Sequence, residues 1–397
     1  MTYSSNDLMK IGETYGAHNY LPLPVVISKG EGVWVWDVEG KKYMDMLSSY
    51  SALNQGHCHP DIVNAAKKQL DSLTLTSRAF YNDKLPLFLK KVAELTGMEM
   101  VLPMNTGAEA VETALKAARK WGYYKKGIEK YNGEIIIAEN NFHGRTITII
   151  SFSSEEQYRD GFGPFTPGFR MVPYGNLDAI RDAFNKNTTG VMVEPIQGEG
   201  GIIIPPEGYL NGIKNLCKEN NALFILDEVQ TGLGRTGKMF GWEWEGAKPD
   251  MIILGKAMSG GISPVSAVAA SKEILGVFNP GDHGSTFGGN PLGAAIGIAA
   301  LDVLVKYNLP QRSLEMGEYF MSKLRTLNNP VIKEIRGKGL FIGIELNKPA
   351  REYAEKLMGE GLLCKETHEY VIRFAPPLII TKEEIDWAFE KIKKILS

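Results

Sequence analysis

The feature that most limits the fold of this chain is a series of short, near-continuous apolar runs. They are Met98–Met104 (MEMVLPM), Glu134–Ala138 (EIIIA), Gly190–Val193, Ala222–Leu226 and Asp250–Leu254. Runs of this length, rich in β-branched residues, suit strands buried on both faces. Helical patterns lie between them, notably Ala108–Trp121 and Gly208–Asn220. This alternation predicts an α/β fold with a mostly parallel sheet covered by helices. After about residue 300 the pattern restarts as a smaller unit. It reads as a strand (Leu340–Leu346), a helix (Ala350–Gly359), short strands near Leu362–Lys365 and Tyr370–Phe374, and a closing helix. That helix opens with Thr381-Lys-Glu-Glu384, a capping box in which Thr and Glu satisfy each other's free amides. The first 45 residues lack the strand–helix rhythm. The expected division is an N-terminal segment (1–45) packing with the small domain, a large domain (46–299) and a small C-terminal α/β domain (300–397).

Composition narrows the partners. Lys and Arg number 44 against 46 Asp and Glu, a net charge of −2, which gives no electrostatic case for nucleic acid or an anionic membrane. Cys58, Cys217 and Cys364 are scattered and odd in number, so no disulfide framework is expected and a reducing compartment is. The opening MTYSSNDLMKIGETYG lacks the apolar core of a signal peptide. The stretch GAAIGIAALDVLV is broken by Asp302 and is too short to span a membrane. The expectation is a cytoplasmic protein with no membrane and no nucleic-acid partner. His57-Cys58-His59 suggests a metal at first sight, but alternation points these side chains apart and no further ligand spacing follows, so no metal is expected.

Ligands of open α/β sheets bind beyond the carboxyl ends of the strands. Here those ends read Asn105-Thr-Gly-Ala, Glu139-Asn-Asn-Phe-His-Gly-Arg145, Glu194-Pro-Ile-Gln-Gly-Glu199, Asp227-Glu-Val-Gln230 and Gly255-Lys256. The first joins a strand to a helix, where free amides and the helix dipole suit a phosphate, although taken alone plain N-capping is the preferred reading. Lys256 follows an apolar strand, a poor setting for a solvated charge; taken alone it reads first as an ordinary surface lysine, and otherwise as an amine nucleophile that forms a Schiff base. Asp227 ends another apolar strand, as an ion-pair partner, a cap, or the carboxylate that keeps a pyridinium protonated. Phosphate loop, lysine and buried aspartate are together what pyridoxal 5'-phosphate requires.

At these residues the chain resembles the class III pyridoxal-phosphate aminotransferases of fold type I, most closely the ornithine δ-aminotransferase group. The matching segments run in order through GAHNY, LSSYSALNQGHCHP, MNTGAEA, NFHGRT, GFGPFTPGF, VEPIQGE, LDEVQTG, LLGKAMSGG, HGSTFGGNPL and IRFAPPL, and span nearly the whole chain. The resemblance implies that Lys256 carries the cofactor and shuttles the proton. It implies that Asp227 pairs with the pyridine nitrogen, Gln230 binds the ring oxygen, and Phe142 and Val229 cover the two ring faces. Thr106, Gly107, Ala108 and His143 join the cofactor-binding set, and Ser285 and Thr286 are expected from a neighbouring subunit, which implies a homodimer. On the substrate side, Arg145 is expected to take the distal carboxylate, with Tyr20 and Tyr50 lining the pocket. Arg373 is expected to receive the α-carboxylate of 2-oxoglutarate, with Glu199 masking it during the first half-reaction. Glu194 lies near the ring with its role open. The implied reaction moves the δ-amine of L-ornithine to 2-oxoglutarate. N-acetylornithine or another ω-amino acid remains an alternative substrate.

One rival reading needs weighing. Gly232-Leu-Gly-Arg-Thr-Gly237 has the spacing of a dinucleotide loop, and Gly232 to Lys238 nearly that of a triphosphate loop. Met239 stands where a magnesium-binding Ser or Thr belongs, and Gly241, Gly246 and Pro249 oppose a long helix after the run. The expectation is a loop beside the site.

Overall fold

The computed structural model describes residues 3–396. Near the N-terminus β1 (Ile27–Glu31), β2 (Trp34–Asp37) and β3 (Lys42–Asp45) form an antiparallel meander. The main sheet follows, built from β4 (Met100–Met104), β5 (Glu134–Ala138), β6 (Phe169–Val172), β7 (Thr188–Val193), β8 (Leu223–Asp227), β9 (Met251–Leu254) and β10 (Ser266–Ala270). Its seven strands run in the order β4-β10-β9-β8-β7-β5-β6. β5 to β9 are mutually parallel, and β10 is antiparallel to both neighbours.

Alternation along each strand explains why this sheet is apolar throughout. Ile135 and Ile137 of β5, with Leu223 and Ile225 of β8, face the helix Gly107–Trp121 and its Ala110, Val111, Ala114 and Leu115. Ile136, Phe224 and Leu226 face the opposite layer, which contains Leu210, Ile213 and Leu216 of the helix Tyr209–Glu219. Successive side chains thus enter two different cores, as a period of two requires. Burying a side chain the size of Phe224 contributes about 1.5–3 kcal/mol.

The C-terminal part supplies β11 (Ile332–Lys338), β12 (Phe341–Leu346), β13 (Leu362–Leu363), β14 (Lys365–Thr367) and β15 (Val371–Phe374). Four of these make an antiparallel sheet in the order β11-β12-β15-β14. β13 instead joins β3 in parallel, with Leu362 opposite Met44. The closing helix Lys382–Leu396 begins with the expected reciprocal cap: Thr381 N–H to Glu384 Oε2 at 2.9 Å, and Glu384 N–H to Thr381 Oγ1 at 3.2 Å. No single helix among the described residues is long and apolar enough to cross a membrane.

Two strands of the main sheet escape a pattern search. β6 lies at an edge and exposes Arg170 and Met171, so it shows no apolar run. β10 reads Ser-Ala-Val-Ala-Ala, poor in β-branched residues, because the helix Gly107–Trp121 packs closely over it.

The glycine run between Gly232 and Gly237 opens no helix. It is a buried series of turns packed against the second sheet. Gly237, at φ +91°, lies under the β11–β12 turn, where a Cβ on Gly339 would fall 2.5 Å from the Gly237 nitrogen. Glycines are needed because two backbones touch. Within the run Arg235 is fully buried and, among the described residues, bonds no carboxylate. Its Nη1 donates to Leu340 O at 2.9 Å and Pro376 O at 2.6 Å, and its Nη2 to Asn54 Oδ1 at 2.5 Å. One guanidinium therefore ties the main sheet's loop to the second sheet and to the N-terminal part. Burial, with Arg373 nearby, pushes its pKa down to about 9. Arg235→Leu leaves three buried acceptors without donors, at about 1–3 kcal/mol each. Chemical denaturation should show a loss of several kcal/mol, with Arg235→Lys restoring only part of it because an ammonium lacks the planar fork.

Candidate active site

The carboxyl ends of β4, β5, β7, β8 and β9 converge. At the end of β4, Thr106 caps the helix Gly107–Trp121 through a capping box: Glu109 N–H donates to Thr106 Oγ1 at 3.2 Å, and Thr106 N–H to Glu109 Oε2 at 2.7 Å. Glu109 also accepts the Asn105 N–H at 3.1 Å. The amides of Gly107 and Ala108 are left with no partner among the described residues, at the positive end of a 15-residue helix. A Cβ at Gly107 would lie 3.2 Å from Val229 Cγ1, so any larger residue there would press on Val229.

The loop after β5 is pinned by Asn141, whose Nδ2 donates to Ala138 O at 2.7 Å and Phe152 O at 2.9 Å. That fixes Phe142, His143 and Arg145. His143 Nδ1 meets Asp227 Oδ2 at 2.6 Å, while Asp227 Oδ1 accepts the Val229 N–H at 2.9 Å. Burial pulls the His143 pKa down, but the hydrogen bond and charge of Asp227, with Glu194 behind it, raise it overall. Its Nε2 is buried without a partner among the described residues, as is Gln230 Oε1. Glu194 accepts the Phe142 N–H at 3.1 Å and the Gly198 N–H at 3.3 Å, and burial lifts its pKa to about 7.

Lys256 follows β9 at φ +44° and is partly buried. Burial lowers its pKa; Glu199 opposes that and Arg373 adds to it, with Asp227 and Glu194 also within electrostatic reach. The lysine thus sits amid the charges from the other strand ends.

Arg373, on β15, is 1% exposed. Its Nη1 donates to Glu199 Oε1 at 2.8 Å and its Nη2 to Ser51 Oγ at 3.2 Å, with Tyr50 and Phe341 rings at 5.5 and 5.0 Å. Gln230 Nε2 donates to the same Glu199 oxygen at 3.1 Å. Arg145 is arranged differently. It is exposed, lies 3.5 Å from the Tyr158 ring centroid and 5.5 Å from that of Phe142, and forms no ion pair among the described residues. Ser285 is held by its own chain, its Oγ accepting from Asn105 Nδ2 at 2.9 Å, and Thr286 is exposed. Tyr20 is 76% exposed on the loop before β1, away from any hydrogen bond to this cluster.

A family model for class-III aminotransferases matches residues 15–396. The chain belongs to this family. Ornithine aminotransferases from Brevibacillus brevis and Bacillus subtilis are 63% and 61% identical to this aminotransferase, over 99% of its length and 98% of theirs. The ornithine aminotransferase structure from Toxoplasma gondii, reported with partial occupancy of PLP, superposes with a TM-score of 0.98 at 44% identity, covering 100% of this chain and 94% of that one. An acetylornithine aminotransferase from Elizabethkingia anophelis gives 0.91 at 47% identity, covering 100% and 99%. This aminotransferase is accordingly a pyridoxal-phosphate-dependent transaminase of fold type I.

Sequence reasoning placed His143 only in a general cofactor set; the structure puts it behind Asp227. It missed Tyr158 and Ser51 altogether. Ser51 belongs to a four-residue stretch, Ser48 to Ser51, at φ values of 51, 48, 58 and 73°. Left-handed backbone costs roughly 1–2 kcal/mol at each non-glycine residue, and no glycine or asparagine marks it in LSSYSAL.

Glu228, beside Asp227 in sequence, turns the other way into the glycine loop. It accepts Thr231 Oγ1–H at 2.5 Å and the N–H groups of Gly241 and Trp242 at 2.9 Å each. Burial raises its pKa from 4.5 to about 7. For a carboxyl raised by folding, the stability contribution is complete below the ordinary value and is lost as pH climbs through the folded value. Wild-type stability relative to Glu228→Gln should therefore fall by on the order of 3 kcal/mol between about pH 5 and pH 8. Denaturant melts of both proteins at fixed concentration check this, and a constant difference would show that the carboxyl stays ionised.

Proposed function

We propose that this enzyme moves the δ-amino group of L-ornithine to 2-oxoglutarate in a ping-pong reaction, giving glutamate 5-semialdehyde, which closes to pyrroline-5-carboxylate, and glutamate. The observation that carries this reading is the covered Arg373, paired with Glu199 while Arg145 stands open. Relatives named ornithine aminotransferase at 59–63% identity support it.

The residues fit pyridoxal phosphate. The open amides of Gly107 and Ala108, with Thr106, suit its phosphate, joined by Ser285 and Thr286 of the second subunit in a homodimer. The exposed Phe287 beside them supports burial against such a subunit. Asp227, steadied by His143, would pair with the pyridine nitrogen, Gln230 would offer the Nε2 hydrogen not taken by Glu199 to the ring oxygen, and Phe142 and Val229 would cover the ring. When bound, the group supplies an electron sink that makes the proton beside the reacting amine labile. Lys256 holds the cofactor and moves that proton through Nζ, a role its lowered pKa suits. Glu194, lifted to about 7, borders the same charges without an assigned step.

Arg145 and Tyr20 receive the carboxylate of ornithine farthest from the reacting carbon. Because Glu199 covers Arg373, a lone α-carboxylate gains nothing by turning around, so the δ-amine leads. In the second half-reaction Arg373 takes the α-carboxylate of 2-oxoglutarate and Glu199 retains its bond to Gln230. Tyr50, against Arg373, narrows that end. A cytoplasmic enzyme belongs to this reading, and the β3–β13 pairing supports grouping residues 1–45 with 300–397.

A second reading, N-acetylornithine as donor, is favoured by the similarity to the Elizabethkingia anophelis protein. Assays of L-ornithine, N-acetylornithine and γ-aminobutyrate, each with 2-oxoglutarate, separate these readings; a preference for N-acetylornithine would overturn the first. Lys256→Ala should abolish turnover. Glu199→Gln should weaken the mask, raising α-amine transfer from ornithine by about tenfold, the worth of one charged hydrogen bond. Chromatographic separation of the two isomeric products, the 5-semialdehyde and the 2-oxo acid, measures that ratio.

A further inference from the structure

Arg373 has two side-chain hydrogen-bond partners of different kinds. Glu199 is a detachable one: its side chain is 22% exposed, and Gln230 already holds the same oxygen. Ser51 is a fixed one, 1% exposed and set in backbone that has little freedom. The left-handed run from Ser48 to Ser51 is pinned at both ends. Asp45 Oδ1 accepts the Leu47 and Ser48 N–H groups at 2.8 and 2.9 Å, and Asp45 Oδ2 is held by His57 Nε2 at 2.7 Å. Downstream, the N–H groups of Ala52 and Leu53 return to Ser48 O at 2.8 and 3.1 Å. This backbone brings the Tyr50 ring and the Ser51 hydroxyl to the same guanidinium.

We propose that Ser51 is a positioning residue for the second substrate. It holds Nη2 of Arg373 while Glu199 takes Nη1, so that release of Glu199 leaves the guanidinium already aimed at the α-carboxylate of 2-oxoglutarate. The proposal rests on the assignment of Arg373 and Glu199 given above. Its physical basis is that Arg373 Nε has no partner among the described residues and the group is buried. Once Glu199 leaves, every donor but the one on Ser51 is unsatisfied, and an unanchored side chain would rotate to find acceptors. Left-handed conformations in non-glycine residues persist where surrounding structure enforces them, and they concentrate at sites that need a fixed geometry.

The test uses the holoenzyme and its Ser51→Ala, Ser51→Gly and Arg373→Lys variants, with the two half-reactions measured separately in single turnovers and melting temperatures recorded. Both Ser51 variants should weaken apparent 2-oxoglutarate binding by about tenfold, the loss of one hydrogen bond to a charged group. The ornithine half-reaction should change less than about twofold on the same scale. Ser51→Gly should melt higher than Ser51→Ala, because glycine accepts φ +73° without strain. A shared binding defect despite different stabilities identifies the hydroxyl as the cause. Equal losses in both half-reactions, or unchanged 2-oxoglutarate binding, would overturn the proposal. If Arg373→Lys also leaves 2-oxoglutarate binding unchanged, the assignment of Arg373 falls with it; if Arg373→Lys weakens binding and the Ser51 variants do not, only the role of Ser51 falls.

Discussion

Six ionisable side chains, His143, Glu194, Glu199, Asp227, Lys256 and Arg373, share one volume that admits little water, and the rest of the site is arranged around that cost. Four of them are no more than 4% exposed. Isolated buried charges are expensive, and pairing offsets the cost only where geometry and hydrogen bonds are good. Asp227 meets this condition by dividing its oxygens between His143 and the Val229 amide. Glu199 meets it by binding Arg373 and Gln230 through one oxygen. Glu194 relies on two backbone amides and a pKa lifted to about 7. Lys256 forms no salt bridge among the described residues, and burial lowers its pKa against the pull of Glu199, Asp227 and Glu194.

The parallel sheet is what makes such crowding geometrically inevitable. A strand buried on both faces can carry polar residues only at its ends, and parallel strands put like ends in one row. That logic is why the site was partly legible from sequence: Asp227, Lys256, Glu194 and the Asn105–Ala108 turn each follow an apolar run. Arg373 follows no such run in the main sheet, and family resemblance alone pointed to it. The pairing of His143 with Asp227 joins positions 84 apart, and no local pattern encodes which buried histidine meets which carboxylate.

Ser51 was illegible for a different reason. Its conformation contradicts the local preference of every residue in the stretch, and it is enforced by Asp45, itself held by His57, and by the Ala52 and Leu53 amides on Ser48 O. The glycines of the 232–237 run mislead in the opposite sense. They are conspicuous in sequence, yet their job is to let two backbones meet near Gly339, and Arg235 then uses that contact to join three parts of the chain. Conspicuous residues here are structural, and an inconspicuous serine touches the site.

On the proposed reading, one pocket must accept a donor with one carboxylate and an acceptor with two. An open Arg373 would serve the acceptor better and the donor worse, since ornithine would gain by entering backwards. A removable carboxylate resolves the conflict only if its removal is cheap, and the Gln230 bond to Glu199, already formed, lowers that cost. It must also leave the arginine in place, which a second mobile partner would not ensure. The strained, pinned turn at Ser48–Ser51 supplies the immobile partner, so the stability lost to left-handed backbone is tied to the same specificity problem as the Glu199 mask.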